Sequence, residues 1–206
     1  MERYRFSGEI CGFGTSSGAR VVVGRWPRSP FGAVADVMLE DSTGHRVLIA
    51  PDERLAAFIA ATYTFDEVVV APVVAERTKD RLGVVAGALA ADVELGGRPL
   101  LGQLLRAVPR RISTGPWWAA VTDPVARLVM PGVRTRGRTA GGRREWYAAH
   151  DLRAVAALTA SWQGRDLGDL SDVDPPVRFG FGSAPRRASI ASITTTVAVP
   201  TAPRSP

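Results

Sequence analysis

Close punctuation constrains this chain most: short runs of alternating or β-branched apolar residues are broken again and again by Gly, Pro, Asp and Ser clusters. That pattern predicts strands joined by tight turns rather than long helices. Residues 4–11 and 20–26 flank a turn-rich loop at 12–18. Residues 33–40 and 45–49 enclose Asp41-Ser42-Thr43-Gly44, and 67–75 and 82–93 turn at Arg77-Thr78-Lys79-Asp80. Further along, 133–138 and 143–147 flank Thr139-Ala140-Gly141-Gly142, and 177–181 and 189–199 form a last hairpin. Within 33–40, Ala35, Val37 and Leu39 share one face. Asp36, Met38 and Glu40 share the other, as in a strand with one face on the core and one in water.

Helices interrupt the strands in a few places. Asp52 is placed to cap a helix that carries Leu55, Phe58, Ile59 and Thr62 at i, i+3, i+4 and i+7, one core-facing stripe. A shift of 99 residues sets Asp52 on Asp151, Arg54 on Arg153, Ile59 on Leu158 and Tyr63 against Trp162. The order strand, turn, strand, Asp cap and helix thus recurs, predicting a second helix over 154–162 and an internal pseudo-duplication. Ala154 and Ala157 stand where Leu55 and Phe58 stood, so the second stripe is thinner. Residues 100–105 predict a helical turn or two, and 124–130 a helix opened by Pro124 and capped by Thr122 or Asp123.

The expected fold class is therefore α+β and predominantly antiparallel β, a barrel or sandwich with two or more short helices. Residues 1–95 form a first β-rich half, 96–131 a connection and 132–199 a second half, with 200–206 a disordered tail. All of these are expected to belong to one compact domain.

Composition excludes several classes. No apolar run approaches a membrane span, and Met1 is not followed by the apolar region of a leader peptide. Cys11 is the single cysteine, so no internal disulfide framework exists; a reducing cytoplasm is expected, with Cys11 a buried, inert thiol. Two histidines, His45 and His150, and one cysteine do not suffice for an ordinary three-ligand zinc site unless carboxylates complete it. No metal or other cofactor is expected. Asp166, Asp169, Asp172 and Asp174 lack the spacing of a calcium loop and read as an acidic surface loop. The glycines at 12–18 precede a strand rather than a helix, so they read as a hairpin loop and not as a dinucleotide fingerprint.

Charge is unevenly spread. Residues 1–100 hold 11 Lys/Arg against 13 Asp/Glu, whereas 101–206 hold 15 against 7. The hairpin at 133–147 concentrates it. Arg134, Arg136 and Arg138 alternate along one strand, and a turn pairing Thr139 with Arg143 sets Arg138 opposite Arg144 and Arg136 opposite Trp146. At the 99-residue shift Arg136 and Arg138 align with Val37 and Leu39, yet buried arginine is rare, so the solvent-facing reading leads. Such a surface, with Trp117 nearby, suits an anion. The leading expectation is non-catalytic binding of an anionic small molecule beside this hairpin, at Arg134, Arg136, Arg138, Arg144, Trp146 and Trp117. Nucleic-acid binding through the same basic hairpin is one alternative. An enzyme is the other, drawing its acid–base groups from Asp123, Glu145, His150 and Asp151, although no pair has a diagnostic spacing. The balance leans away from an enzyme.

Overall fold

In the computed structural model, residues 1–108, 136–138, 142–179 and 184–200 are described, of 136–138 the backbone alone. The chain is mostly strand, as the punctuation predicts. Four strands come first: β1 (Glu2–Thr15), β2 (Arg20–Arg28), β3 (Val34–Glu40) and β4 (Arg46–Ala50). The helix α1 (Glu53–Ala60) leads to β5 (Glu67–Val70), β6 (Val73–Arg77), β7 (Arg81–Ala86) and β8 (Leu89–Leu95). A second helix, α2 (Leu100–Ala107), and the short β9 (Arg136–Arg138) precede the long β10 (Arg144–Trp162). Short β11 (Arg165–Asp166) and β12 (Leu170–Ser171) lead to the closing β13 (Ser189–Val199).

The main sheet runs β5-β4-β3-β2-β1-β13-β10-β8-β7-β6, with β9 and β11 on β10 and β12 on β1. Every pairing is antiparallel except β4 with β5. The two ends of this order are consecutive in sequence, joined by Ala71-Pro72, so the sheet curls back on itself. Its concave face holds the main core: Cys11, Phe13, Val21, Val23, Val37 and Leu39 meet Leu82, Val84, Leu89 and Val93 from the other end. Cys11 is fully buried there and its thiol is pushed up to about 12 by burial, the inert cysteine expected.

Several local expectations change in this frame. The face of β3 that carries Asp36, Met38 and Glu40 is not in water. Asp36 and Glu40 are both buried, because α1 and the 172–179 segment cover the convex side of the sheet. Glu40 accepts from the backbone N–H and Nε of Arg178 at 2.7 and 2.8 Å and lies 3.3 Å from the Arg20 guanidinium, so the ion cluster fastens that segment down. The loop expected over 12–18 is shorter. β1 continues through Gly12 and Gly14; a Cβ at Gly14 would lie 2.1 Å from the Asp172 carbonyl oxygen, and one at Gly12 3.0 Å from the Ala184 side chain. The run 67–75 divides at Ala71-Pro72 into β5 and β6, which sit at opposite ends of the sheet. Residues 177–179 form no strand; β13 pairs with β1 and β10 instead.

The largest correction concerns the second unit. Residues 154–162 are strand, the far end of β10, paired with β8 from Val155 opposite Leu95 to Trp162 opposite Leu89. Alanine's helix preference is a weak prior, and the ladder with β8 together with burial of Val155 and Ala160 outweighs it. Asp151 caps no helix; it receives Arg98 Nε at 2.9 Å. Only the first unit therefore has its helix. The expected helix at 100–105 is present as α2, which lies on β10 with buried Gly102 against Leu152. The expected helix at 124–130 lies outside the described residues. No helix among the described residues is long and apolar enough to cross a membrane.

Candidate functional site

α1 forms where its sequence pattern places it. The Asp52 carboxylate accepts the Leu55 N–H at 2.9 Å, and Leu55, Ala56 and Ile59 are buried against the convex face of the sheet. Arg143 closes the other end, donating from one guanidinium nitrogen to the Phe58 carbonyl at 2.8 Å and to Thr62 Oγ1 at 2.7 Å. Its cation also lies 4.9 Å from the centre of the Phe58 ring. Between this helix and the sheet lies a cavity of about 50 Å³. Phe6, Trp26, Met38, Ile59 and Val197 make its walls mainly apolar, yet Asp36, Thr62, Tyr63, Glu145, Tyr147 and Thr195 bring polar groups to it.

Two of these are carboxyls. Asp36, on β3, accepts a 2.8 Å hydrogen bond from Trp26 Nε1 across the β2–β3 pair. Burial raises its pKa to about 7, and the indole N–H opposes that only in part. Gly24 makes the approach feasible: a Cβ there would lie 2.5 Å from Trp26 Nε1 and 2.6 Å from Asp36 Oδ1. Glu145, on β10, is also raised to about 7 by burial, against the pull of hydrogen bonds from Tyr63 and Tyr147. The Tyr63 hydroxyl lies 2.7 Å from both Glu145 oxygens and 2.7 Å from the Tyr147 hydroxyl. Burial and the neighbouring carboxylate push the Tyr63 phenol well above its ordinary value, so it stays a proton donor.

Thr195 differs from the others. It sits on β13 between Phe6 of β1 and Tyr147 of β10, buried, and its hydroxyl has no hydrogen-bond partner among the described residues. A buried hydroxyl without a partner is costly. Here it lines the cavity, where a guest or a water molecule can satisfy it.

The predicted site residues fall as follows. β9 pairs with β10 in the expected register, Arg138 opposite Arg144 and Arg136 opposite Trp146. Arg144 is exposed and Trp146 half-buried, and neither lines the cavity; strand alternation turns Glu145 and Tyr147 toward it instead. Arg134 and Trp117 lie outside the described residues, as does Asp123. Of the acid–base candidates, Glu145 is in the cavity, whereas His150 pairs with Thr194 Oγ1 at 3.0 Å and Asp151 with Arg98. Of the aspartates at 166–174, Asp172 and Asp174 receive Arg186. Asp36, Tyr63, Tyr147 and Thr195 were not singled out as site residues. For Asp36 a signal existed: Met38 shares its supposedly wet face.

No protein-family model and no curated protein matches the chain. Solved structures similar to it include an acetoacetate decarboxylase from Legionella pneumophila, with a TM-score of 0.46 and 11% identity over 96% of this chain and 85% of that one. Another is an ATTH protein from Nitrosomonas europaea, with a TM-score of 0.34 and 13% identity over 98% of this chain and 53% of that one. This chain therefore spans about half of the second protein's length. Neither likeness bears on what the cavity does.

Proposed function

We propose that the protein binds a small, mainly apolar molecule, or the apolar end of a longer one, in the cavity under α1. The guest's uncharged polar group meets Thr195 and Glu145. The unpartnered Thr195 hydroxyl carries this reading, since it is a polar group held ready in a mainly apolar chamber whose other polar groups bond one another or the wall. The chamber's size supports a guest of few atoms, and its two carboxyls disfavour an anion inside it. An acid group on the guest would stay at the rim, near Arg143, which bonds Phe58 and Thr62 of the cavity wall. That keeps the anion-binding role expected of the 133–147 hairpin as a proposal.

Thermal shift with short-chain aliphatic alcohols and their matching carboxylic acids tests the reading. Alcohols are expected to raise the melting temperature, and the near-isosteric Thr195→Val to weaken them by roughly fivefold to tenfold, the worth of one neutral hydrogen bond. Equal affinity in Thr195→Val would remove the proposal. Arg143→Ala is expected to weaken the acids more than the alcohols.

A second reading has its own observation. Glu145, raised to about 7 and touching two phenols at the cavity wall, has the environment of a general acid or base. Proton exchange at a carbon acid held in the cavity, followed by deuterium incorporation and lost in Glu145→Gln, would favour an enzyme.

A further inference from the structure

The inward stripe of β1 changes character along its length. Phe13 and Cys11 belong to the core, while Glu9, Ser7 and Arg5, continuing the same face, line an open cleft of about 690 Å³. β2 does the same, passing from Val21 and Val23 to Arg25, and β13 passes from Ile190 to Ser192 and Thr194. The cleft is thus the polar mouth of the curled sheet, far larger than the cavity under α1 and on the opposite face of β1.

Its walls carry seven cationic side chains against two carboxylates. Arg25 and Arg77 share Glu9, at 3.6 and 3.5 Å. Arg153 is held by Asp80 at 2.9 Å and Arg98 by Asp151 at 2.9 Å. Arg5, Arg28 and Lys79 have no carboxylate partner among the described residues, and all three are exposed at the mouth. Within the wall, Arg77 Nε and one Glu9 oxygen are buried without a hydrogen-bond partner. Concentrating cations in a concave site focuses the field on whatever enters. Serine and threonine hydroxyls supply further donors. Among the described residues no Phe, Tyr or Trp lines the cleft and the His150 imidazole is its one aromatic ring, so it lacks the broad stacking faces by which nucleic-acid strands and nucleotide bases are held.

We infer that this mouth is a binding site for a small polyanion without an aromatic ring, a molecule bearing two or more phosphate groups. Arg5, Arg28 and Lys79 supply the unpaired charge, while the fixed Arg25 and Arg77 form the back wall. The volume suits such a molecule, lying within the range of ordinary ligand pockets. This inference stands apart from the cavity under α1 and does not depend on it.

Inorganic tripolyphosphate is a suitable probe, titrated calorimetrically into the full chain at low salt. One site per chain is expected, with affinity falling steeply as salt rises. R5Q/R28Q is expected to lose at least about tenfold in affinity, since each side chain makes charge-assisted contacts. Neither residue has a side-chain bond to another part of the fold among the described residues, so a melting curve should stay unchanged. R165Q/R187Q removes the same charge from exposed positions elsewhere and is expected to bind like the parent. No heat at low salt would overturn the inference, as would equal weakening in the control pair. Competition by a single-stranded oligonucleotide at equal charge concentration would overturn it too, in favour of nucleic acid. Thr195→Val is expected to leave tripolyphosphate binding intact.

Discussion

Glu145 and Asp36 hold their protons to a higher pH in the folded chain than in the unfolded one, since burial raises both to about 7. Between their ordinary values and about 7, the native state therefore binds more protons than the unfolded state, and stability falls as pH rises. Asp66, held low mainly by its hydrogen bonds from Arg46, acts in the opposite sense but below that window. Melting temperatures are thus expected to drop from about pH 5 to about pH 8. Glu145→Gln, which keeps the shape and removes the charge, should flatten part of that slope and stabilise the protein at the alkaline end by on the order of 3 kcal/mol. A parent protein that gains stability over this range would contradict the buried environment assigned to both groups. Gly24→Ala tests the other carboxyl: its methyl group would wedge into the Trp26–Asp36 hydrogen bond. A loss of about 2–3 kcal/mol is expected from a shifted denaturant midpoint at constant slope.

At the scale of elements, legibility followed locality. α1 was readable because its cap and its stripe lie within a dozen positions, and Asp52 does cap Leu55. Asp52→Ala is accordingly expected to cost about 1 kcal/mol in chemical denaturation. The register of β9 on β10 was readable because a short turn sets it. The far end of β10 was not, because its strand state comes from β8, a partner about sixty residues away in sequence whose pairing no local pattern encodes. The same holds for the site. Glu145 could be picked out as a carboxyl, but Tyr63, Tyr147 and Thr195 come from separate elements that only the sheet order brings together. Asp36 was assigned to water because alternation says which residues share a face and not whether that face is covered.

The whole molecule is one curled sheet, and its convex covering is fixed by few points. Glu40 is one of them, binding Arg20 and Arg178 with no exposure of its own. Removing one partner from a buried charge cluster strands the others, so Glu40→Ala should cost about 3–5 kcal/mol. Arg178→Ala should cost less, because its own side chain is largely exposed. Both are measurable as shifts in a denaturation curve followed by tyrosine and tryptophan emission. The 19 residues of β10 tie the two ends of the sheet together, pairing with β13 over their first half and with β8 over their second. At the handover, the Ala154 and Val155 amides donate to Gly97 and Ala188. Deuterium in the solvent reaches the Ala154 amide when its bond to Gly97 opens, and the Val155 amide when its bond to Ala188 opens. Two neighbouring amides thus keep separate exchange clocks, one timed by the segment that follows β8 and the other by the segment that precedes β13.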